Sequence, residues 1–217
     1  LAEMMNSFGV NQADPAILDK INVTLEHQKI IDGHAPLLSG QELNGYVAAG
    51  IRSDHECSNV REAKEKFARG QWIMVREGTA AHNLEALLPL FEAPYAQRIM
   101  LVTDDKHPCD LLRDGHIDAI VRKAVQKGID PVKAIKAGTY NAASYFGLVN
   151  HGAIAPGYCA DIAVLDSLTE LNVLEVYKDG VLAAENGKSL VKSSVPEMGQ
   201  EIQERVYHSF HVDPVNV

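Results

Sequence analysis

Short apolar segments alternate with longer segments of helical period along residues 1–150. Apolar runs typical of strands occur in "KIIDG", "GIRSD", "QWIMV" and "RIMLV". Between them lie residue pairs typical of helix starts. Two are an aspartate followed by a proline, Asp14–Pro15 and Asp130–Pro131, and two have capping-box spacing, Ser39 with Glu42 and Asn59 with Glu62. Residues 116–127 place their apolar side chains on one helical face. This alternation predicts an α/β fold with a parallel sheet and crossover helices.

Polar residues end the predicted strands at nearly regular intervals. Glu3, His34, His55, Glu77 and Asp104 follow one another at spacings of 31, 21, 22 and 27 residues. One strand–helix unit has about this length, so the five side chains should gather at one edge of the sheet. In a (β/α)₈ barrel that edge is the C-terminal face, where active sites lie. The chain has room for only five strand–helix units, so the sheet is either open or part of a barrel.

From residue 151 onward the pattern changes to short β-type segments. The stretches "HGAIAPGYCADIAVLD" and "LNVLEVYKDGVLAAENGKSL" are punctuated by glycine and proline, and "KDG" is typical of a hairpin turn. The last residues are only weakly patterned. We therefore predict a barrel-type part over 1–150, a small β portion over 151–192, and a tail or the start of a further domain over 193–217.

Composition and charge narrow the class of protein. The chain has 217 residues, of which 46% are hydrophobic and 23% charged, so it can bury a real core. Its net charge of -9 argues against nucleic acid as a partner. No apolar run is long enough for a membrane span, and the start lacks a signal-peptide pattern. Cys57, Cys109 and Cys159 form no metal or disulfide pattern, so we expect a cytoplasmic protein.

The strand-end residues are of the types that bind a transition metal. Carboxylate and imidazole groups suit zinc, iron or manganese, and we predict Glu3, His34, His55 and Asp104 as ligands. A single such residue more often caps a helix or forms a hydrogen bond in a loop, but four of them at the ends of successive strands favour the metal site. Two adjacent carboxylates in "TDDKH" would repel unless a cation neutralised one, and Asp104 could also accept a proton from water that the metal activates. Its alternative role is helix N-capping, which Asp105 could also perform.

Neighbouring residues are candidates for catalysis and substrate binding. Beside His55, Asp54 or Glu56 could orient an imidazole or move protons, and we assign His55, Glu56 and Asp104 to catalysis. Arg76 and Glu77 form either a structural ion pair or a clamp for a planar polar substrate. Among the remaining histidines, His107 is the best candidate to approach the site. His82 and His116 are ambiguous, whereas three others are expected to be structural or exposed: His151, His208 and His211.

Five long stretches carry a resemblance: "LAEMMNSFGV", "DGHAPLLSGQELNGYVAAGIRSDHE", "VREGTAAHN", "LVTDDKHPCDLL" and "GAIAPGYCADIAVLD". Together they resemble the adenine deaminases of the amidohydrolase superfamily over about residues 1–190. The resemblance implies strands 4 to 8 of a (β/α)₈ barrel with a small appended β-sandwich portion, a binuclear metal centre, and hydrolysis of adenine to hypoxanthine and ammonia. It makes Glu3 the carboxylate that bridges the metals, His34 and His55 the ligands after strands 5 and 6, and Asp104 the strand-8 aspartate.

The resemblance also implies features that this sequence does not contain. An HxH ligand pair after strand 1 should precede Glu3, so we expect the chain to be an internal piece of a longer enzyme. The expected cofactor is a divalent metal, Fe²⁺ or Mn²⁺, with Zn²⁺ as the alternative. The expected partner is a small-molecule purine, whose ring edge Arg76, Glu77 and His107 could read, and we also expect a homo-oligomer. The alternatives are another amidohydrolase acting on a cyclic amide or aminated heterocycle, or a noncatalytic fragment with an incomplete metal site.

Overall fold

The structure, a computed structural model, describes residues 1–192 of the chain. Strands and helices alternate in its first part, as the sequence pattern predicts. The elements of this part are α1 (Ser7–Asn11), α2 (Pro15–Glu26), α3 (Gly40–Ala48), β1 (Ser53–Asp54), α4 (Val60–Ala68), β2 (Trp72–Arg76), α5 (Leu84–Leu87), a 3₁₀-helix (Leu88–Phe91), β3 (Ile99–Val102), α6 (Pro108–Asp114), α7 (Ile117–Gln126), α8 (Pro131–Gly138) and α9 (Tyr140–Phe146).

Parallel pairing joins the strands in sequence order. The three strands lie in the order β1-β2-β3, with Asp54 opposite Ile73 and Arg76 opposite Val102. Two extended segments before β1 continue this arrangement: residue 4 forms a parallel bridge with residue 33, and the amide of residue 52 donates to the carbonyl of residue 31. Five successive segments therefore run in one direction, so their carboxyl ends share one edge.

Both faces of this sheet are buried, which explains why β2 and β3 are almost continuously apolar, whereas the two-residue β1 is polar. Ile73, Val75, Ile99 and Leu101 pack with helices α4, α5, α7 and α8 in one large core. Alternate side chains of the same strands point the other way because strand side chains alternate in direction. Those residues, such as Met74 and Met100, form a second cluster with Tyr145 of α9. The sheet thus fixes which strand-end residues face the helices and which face the opposite side.

Several of the predicted helix starts are present, and they differ in whether the N-cap side chain accepts a backbone N–H bond. Asp14 and Asp130 accept backbone N–H bonds at the starts of α2 and α8, and each precedes a proline. Asn59 accepts the amide of Glu62 at the start of α4. Ser39 occupies the N-cap of α3 but makes no side-chain cap bond. The predicted helix start is therefore correct, whereas the capping-box bond predicted for residues 39–42 is absent, although Ser39 has the extended backbone typical of an N-cap residue.

The second part of the chain is an antiparallel sheet with the order β4-β5-β6-β7, formed by β4 (Ile162–Leu165), β5 (Val173–Lys178), β6 (Val181–Glu185) and β7 (Lys188–Ser189). The predicted "KDG" turn joins β5 to β6, with Asp179 and Gly180 at positive φ. Asp161 accepts bonds from the Asp179 amide and the Lys178 ammonium, and these interactions lower the pKa of its carboxyl. Leu171, which precedes β5, is buried in the core of the first part, so the two parts are packed together.

The predicted tail 193–217, with His208 and His211, lies outside the described residues. Across residues 1–192, every helix is too short or too polar to cross a lipid bilayer.

Candidate metal centre

Three of the predicted ligands meet at the carboxyl edge of the parallel segments. The Nδ1 atom of His34 lies 3.2 Å from Nε2 of His55. The Oε2 atom of Glu3 lies 3.7 Å from the first nitrogen and 3.2 Å from the second. These side chains come from three successive segments and lie 31 and 21 residues apart along the chain. Their three heteroatoms therefore converge on one point because the parallel arrangement brings the segment ends together.

A second group overlaps the first at His55. Ligand atoms of His55, Glu56 and Asp104 lie within 4.8 Å of one another. Oε1 of Glu56 is 3.4 Å from His55 Nε2, and the Arg76 guanidinium binds both Glu56 and Asp104. The distance from Arg76 Nη1 to Asp104 Oδ2 is 2.6 Å. The structure thus brings all four predicted ligands and the predicted catalytic Glu56 into one cluster.

The donor atoms of this cluster fit a divalent cation. Ligands about 2.1 Å from a metal at tetrahedral or octahedral angles are about 3.0–3.5 Å apart. The separations of 3.2 Å between His34 and His55 and between Glu3 and His55 lie in that range, and the 3.7 Å between Glu3 and His34 is slightly above it. Oxygen and imidazole donors also suit iron, manganese and zinc. Glu3, His34 and His55 can therefore hold one ion, and the second group offers ligands beside it.

Charge in the cluster favours the same conclusion. The cluster contains three carboxylates, those of Glu3, Glu56 and Asp104, and one guanidinium, that of Arg76, which pairs with the last two. Burial lowers the pKa of Arg76, but its hydrogen bonds to Asp104 and Glu56 outweigh this and raise it, so the side chain stays charged. These four side chains together have an excess of negative charge. A bound divalent cation would balance it.

The adjacent carboxylates of Asp104 and Asp105 are separated in space by the backbone. Asp104 adopts a positive φ of 52° and turns toward Arg76. Asp105 turns away and accepts the amide of Ala80, and this bond lowers the pKa of its carboxyl. Helix α6 begins at Pro108 after His107, with no side-chain cap bond. Neither aspartate caps that helix, so the alternative reading of the pair was wrong.

The loop after β2 is hydrogen-bonded to the loop after β3. Thr79 donates to Asp110 and accepts the amide of His107, while Ala80 donates to Asp105. Gly78 is essential to this contact because a Cβ at that position would lie 1.4 Å from Oδ1 of Asp105. The two loops therefore form one unit that holds the backbone of Asp104 in place.

The remaining predicted substrate residues have other contacts. Glu77 is 5% exposed, and its carboxylate binds the amide of Leu84, the ring of His82 and the ammonium of Lys123 on α7. It follows Arg76 directly, and the alternation of strand side chains turns it toward the helices while Arg76 faces the cluster. His107 lies at the exposed start of α6. Substrate binding by Arg76, Glu77 and His107 stays a prediction.

Sequence reasoning missed the buried side chains that support the cluster. The hydroxyl of Tyr46 accepts the amide of His34 and donates to the carbonyl of Met4, next to Glu3. Lys66 is fully buried beneath the loops that carry His34 and His55. The "EAKEK" stretch contains a Glu62–Lys66 pair at i,i+4 spacing, which is the one sequence signal for this support. No such signal marks Tyr46.

A third group of potential ligands lies among these supporting residues. Asp54, Cys57 and Glu62 are buried and offer atoms within 4.8 Å of one another. The ammonium of Lys66 already lies 3.0 Å from Asp54 and 2.8 Å from Glu62. Burial, followed by the charge of Asp54, raises the pKa of the Cys57 thiol well above its usual range. Because the Lys66 ammonium already lies between the two carboxylates, this group is an ion-pair network rather than a metal site.

The sequence is similar to known hydrolases. Residues 1–183 match the model of the amidohydrolase family. An adenine deaminase from Dehalococcoides mccartyi is 47% identical over 216 residues, which is 100% of this chain and 37% of that protein. An adenine deaminase from Kosmotoga olearia is 50% identical over 191 residues, covering 88% of this chain and 33% of that protein. The chain spans about a third of the length of these curated relatives.

Solved structures with low sequence identity share the fold. The β-aspartyl dipeptidase of Fervidobacterium islandicum superposes with a TM-score of 0.63 at 20% identity, covering 85% of this chain and 54% of that chain. The N-acetylglucosamine-6-phosphate deacetylase of Thermotoga maritima gives a TM-score of 0.58 at 19% identity, covering 77% of this chain and 56% of that chain.

Proposed function

The chain belongs to the amidohydrolase family, and on that premise we propose that it is the part of a metal-dependent enzyme that hydrolyses adenine to hypoxanthine and ammonia. The observation that carries this proposal is the convergence of Glu3, His34 and His55, joined by Asp104. Relatives named adenine deaminase at 47% and 50% identity support the substrate. The family implies a divalent metal, and the donor set of the cluster agrees with it.

The proposal includes a specific architecture. We propose that the five parallel segments are strands 4 to 8 of a (β/α)₈ barrel and that the antiparallel sheet belongs to a β-sandwich. The parallel order of the segments and the match to amidohydrolase structures support the first part. The change from parallel to antiparallel pairing supports a boundary near residue 150 between a 1–150 part and a 151–192 part.

Four side chains would hold the metal: Glu3, His34, His55 and Asp104. A pair of ions, Fe²⁺ or Mn²⁺ with Zn²⁺ as the alternative, is supported by two overlapping ligand groups that share His55. When bound, a divalent cation lowers the pKa of water and supplies hydroxide near neutral pH. The chain's own residues then have to orient the base and move protons.

Proton movement is assigned to three residues. In the balanced reaction, water adds to C6 of adenine, the C6–N bond breaks, and the amino group leaves as ammonia. Of the two protons that water brings, one is accepted by the carboxylate of Asp104 and passed, with the help of Glu56 or His55, to the departing nitrogen, and the other ends on N1 of hypoxanthine. This role of Glu56 is supported by the position of its Oε1 atom, which lies 3.5 Å from Nδ1 of His34 and 3.4 Å from Nε2 of His55.

Recognition of the purine edge is assigned to Arg76, Glu77 and His107. The guanidinium of Arg76 lies beside the cluster and fixes the orientation of Glu56 and Asp104. In this role it prevents the two carboxylates from moving apart. The carboxylate of Glu77 and the ring of His107 would have to turn from their present surroundings to reach a substrate.

Assays of the full native polypeptide that contains this chain test the proposal. We expect adenine to yield hypoxanthine and ammonia in equal amounts, and a chelator followed by Mn²⁺ or Fe²⁺ to remove and restore activity. Asp104→Ala should reduce kcat by at least 100-fold, because a positioned acid–base group contributes roughly 10²–10⁴-fold. Asp114→Ala, at an exposed ion pair, is the control and should retain activity.

Other results would point to the alternatives. Turnover of a cyclic amide or another aminated heterocycle, with none of adenine, would replace the substrate but keep the metal chemistry. Full activity in Asp104→Ala would refute the assigned mechanism. A 217-residue chain that binds no stoichiometric metal would support a noncatalytic fragment. We also propose a small purine as the partner and a homo-oligomer, which light scattering of the native polypeptide tests.

A further inference from the structure

A buried ion pair holds the backbone on both sides of one residue. Ala35, which follows His34, donates its amide to Oδ1 of Asp54 at 2.7 Å. Its carbonyl accepts a bond from Nζ of Lys66, also at 2.7 Å. Asp54 and Lys66 are themselves joined by a 3.0 Å ion pair, and both side chains are fully buried.

The same ion pair reaches the next segment. Asp54 directly precedes His55, and its second carboxylate oxygen accepts the amide of Glu56 at 3.1 Å. Lys66 also binds Glu62, whose carboxylate accepts the amides of Leu37 and Ser58. One ammonium therefore connects the loop that carries His34 with the loop that carries His55. The two imidazole nitrogens meet at 3.2 Å across this connection.

Stability alone gives a weak reason for such an arrangement. Desolvation of two buried charges costs several kcal/mol, and apolar replacements of buried ion pairs are often neutral or stabilising. Burial by itself would lower the pKa of Lys66, but the charge of Asp54 and the bonds to Glu62 and Asp54 raise it, so the ammonium is retained. A site that must place two ligands within a few tenths of an ångström gains from rigid support.

We propose that Lys66 is a positioning residue that, through Asp54 and Ala35, holds the His34 and His55 rings at the separation a metal ion requires. This inference rests on the proposed metal-dependent function. Lys66 touches no ligand atom itself and acts through the backbone of Ala35 and the side chain of Asp54. Outer residues that orient metal ligands typically change metal affinity by about 10–100-fold when they are altered.

Metal affinity of the full native polypeptide tests the inference. We compare Lys66→Met with Lys64→Met, an exposed position on the same helix whose ammonium lies over the Tyr95 ring. Titration of the apo form with Mn²⁺, together with circular dichroism to confirm folding, should show affinity reduced about 10–100-fold in the first variant. The control should bind Mn²⁺ like the wild type.

A double variant covers the case in which Lys66→Met fails to fold with Asp54 unpaired. Lys66→Met with Asp54→Asn removes both charges of the pair, and the asparagine oxygen can still accept the Ala35 amide. We expect this variant to fold and to bind Mn²⁺ about 10–100-fold more weakly, since the Ala35 carbonyl has lost its donor and the asparagine nitrogen cannot accept the Glu56 amide. Mn²⁺ affinity within twofold of the wild type in a folded variant overturns the inference. A wild type that binds no Mn²⁺ and has no deaminase activity refutes the proposed function instead.

Discussion

Replacement of Tyr46 by Phe removes the hydroxyl group that holds the backbone beside two predicted metal ligands, Glu3 and His34. The Tyr46 ring is fully buried, so the phenylalanine ring can occupy the same volume. Burial raises the pKa of the Tyr46 hydroxyl well above its ordinary range, so it remains a donor at all working pH values. It donates to the carbonyl of Met4 and accepts the amide of His34. The substitution therefore removes the hydroxyl partner of both backbone groups.

The size of the effect follows from the burial of those groups. A buried donor or acceptor without a partner costs about 1–3 kcal/mol. Met4 is 4% exposed, whereas His34 is only partly buried, so water can reach the His34 amide more easily. The loss of the hydroxyl partner at both backbone groups together predicts a decrease of about 2–4 kcal/mol in the free energy of unfolding. This corresponds to a roughly 30-fold to 900-fold change in the unfolding equilibrium.

Urea unfolding of the full native polypeptide measures this loss as a lower midpoint with an unchanged slope. Tyr145→Phe is the matched control, since its hydroxyl binds Asp32, which keeps a second donor from Ser53. The control should lose about 1 kcal/mol. A loss below about 0.5 kcal/mol for Tyr46→Phe, the range of ordinary surface substitutions, would refute the reasoning.

Three further predictions concern the loops, the guanidinium and pH. Gly78→Ala should lower the proposed deaminase activity about tenfold or more. The added Asp105→Ala should restore part of it by removing the closest clash, while the Thr103 carbonyl at 2.7 Å remains; equal activity in both variants would contradict this. Arg76→Lys should lower kcat because an ammonium cannot match the planar fork that binds two carboxylates, and unchanged kcat would refute it. The Asp161 carboxyl has a lowered pKa, so its support of the β5–β6 turn is present above the ordinary value of about 3.9 and is lost as pH falls through the folded-state pKa. The protection factor of the Asp179 amide against hydrogen exchange should therefore fall at low pH in the wild type and stay constant in Asp161→Asn.

The sequence by itself determined the order of strands and helices and which strand-end residues come together in the cluster. Apolar runs and helix starts predicted an α/β chain, and the structure and family match confirm that class. The regular spacing of Glu3, His34, His55 and Asp104 marked residues that the structure brings together. Periodicity carries this information because parallel strands linked by crossovers must end at the same edge.

Only the tertiary structure decided how each strand-end side chain is used. Arg76 and Glu77 are neighbours in sequence, yet one binds Asp104 and the other binds Lys123, because strand side chains alternate in direction. Asp105 likewise finds its partner in the backbone of a distant loop. Contacts between residues far apart along the chain leave no local pattern. The burial of Lys66 against Ala35, 31 residues earlier, could therefore be seen only once the chain was folded.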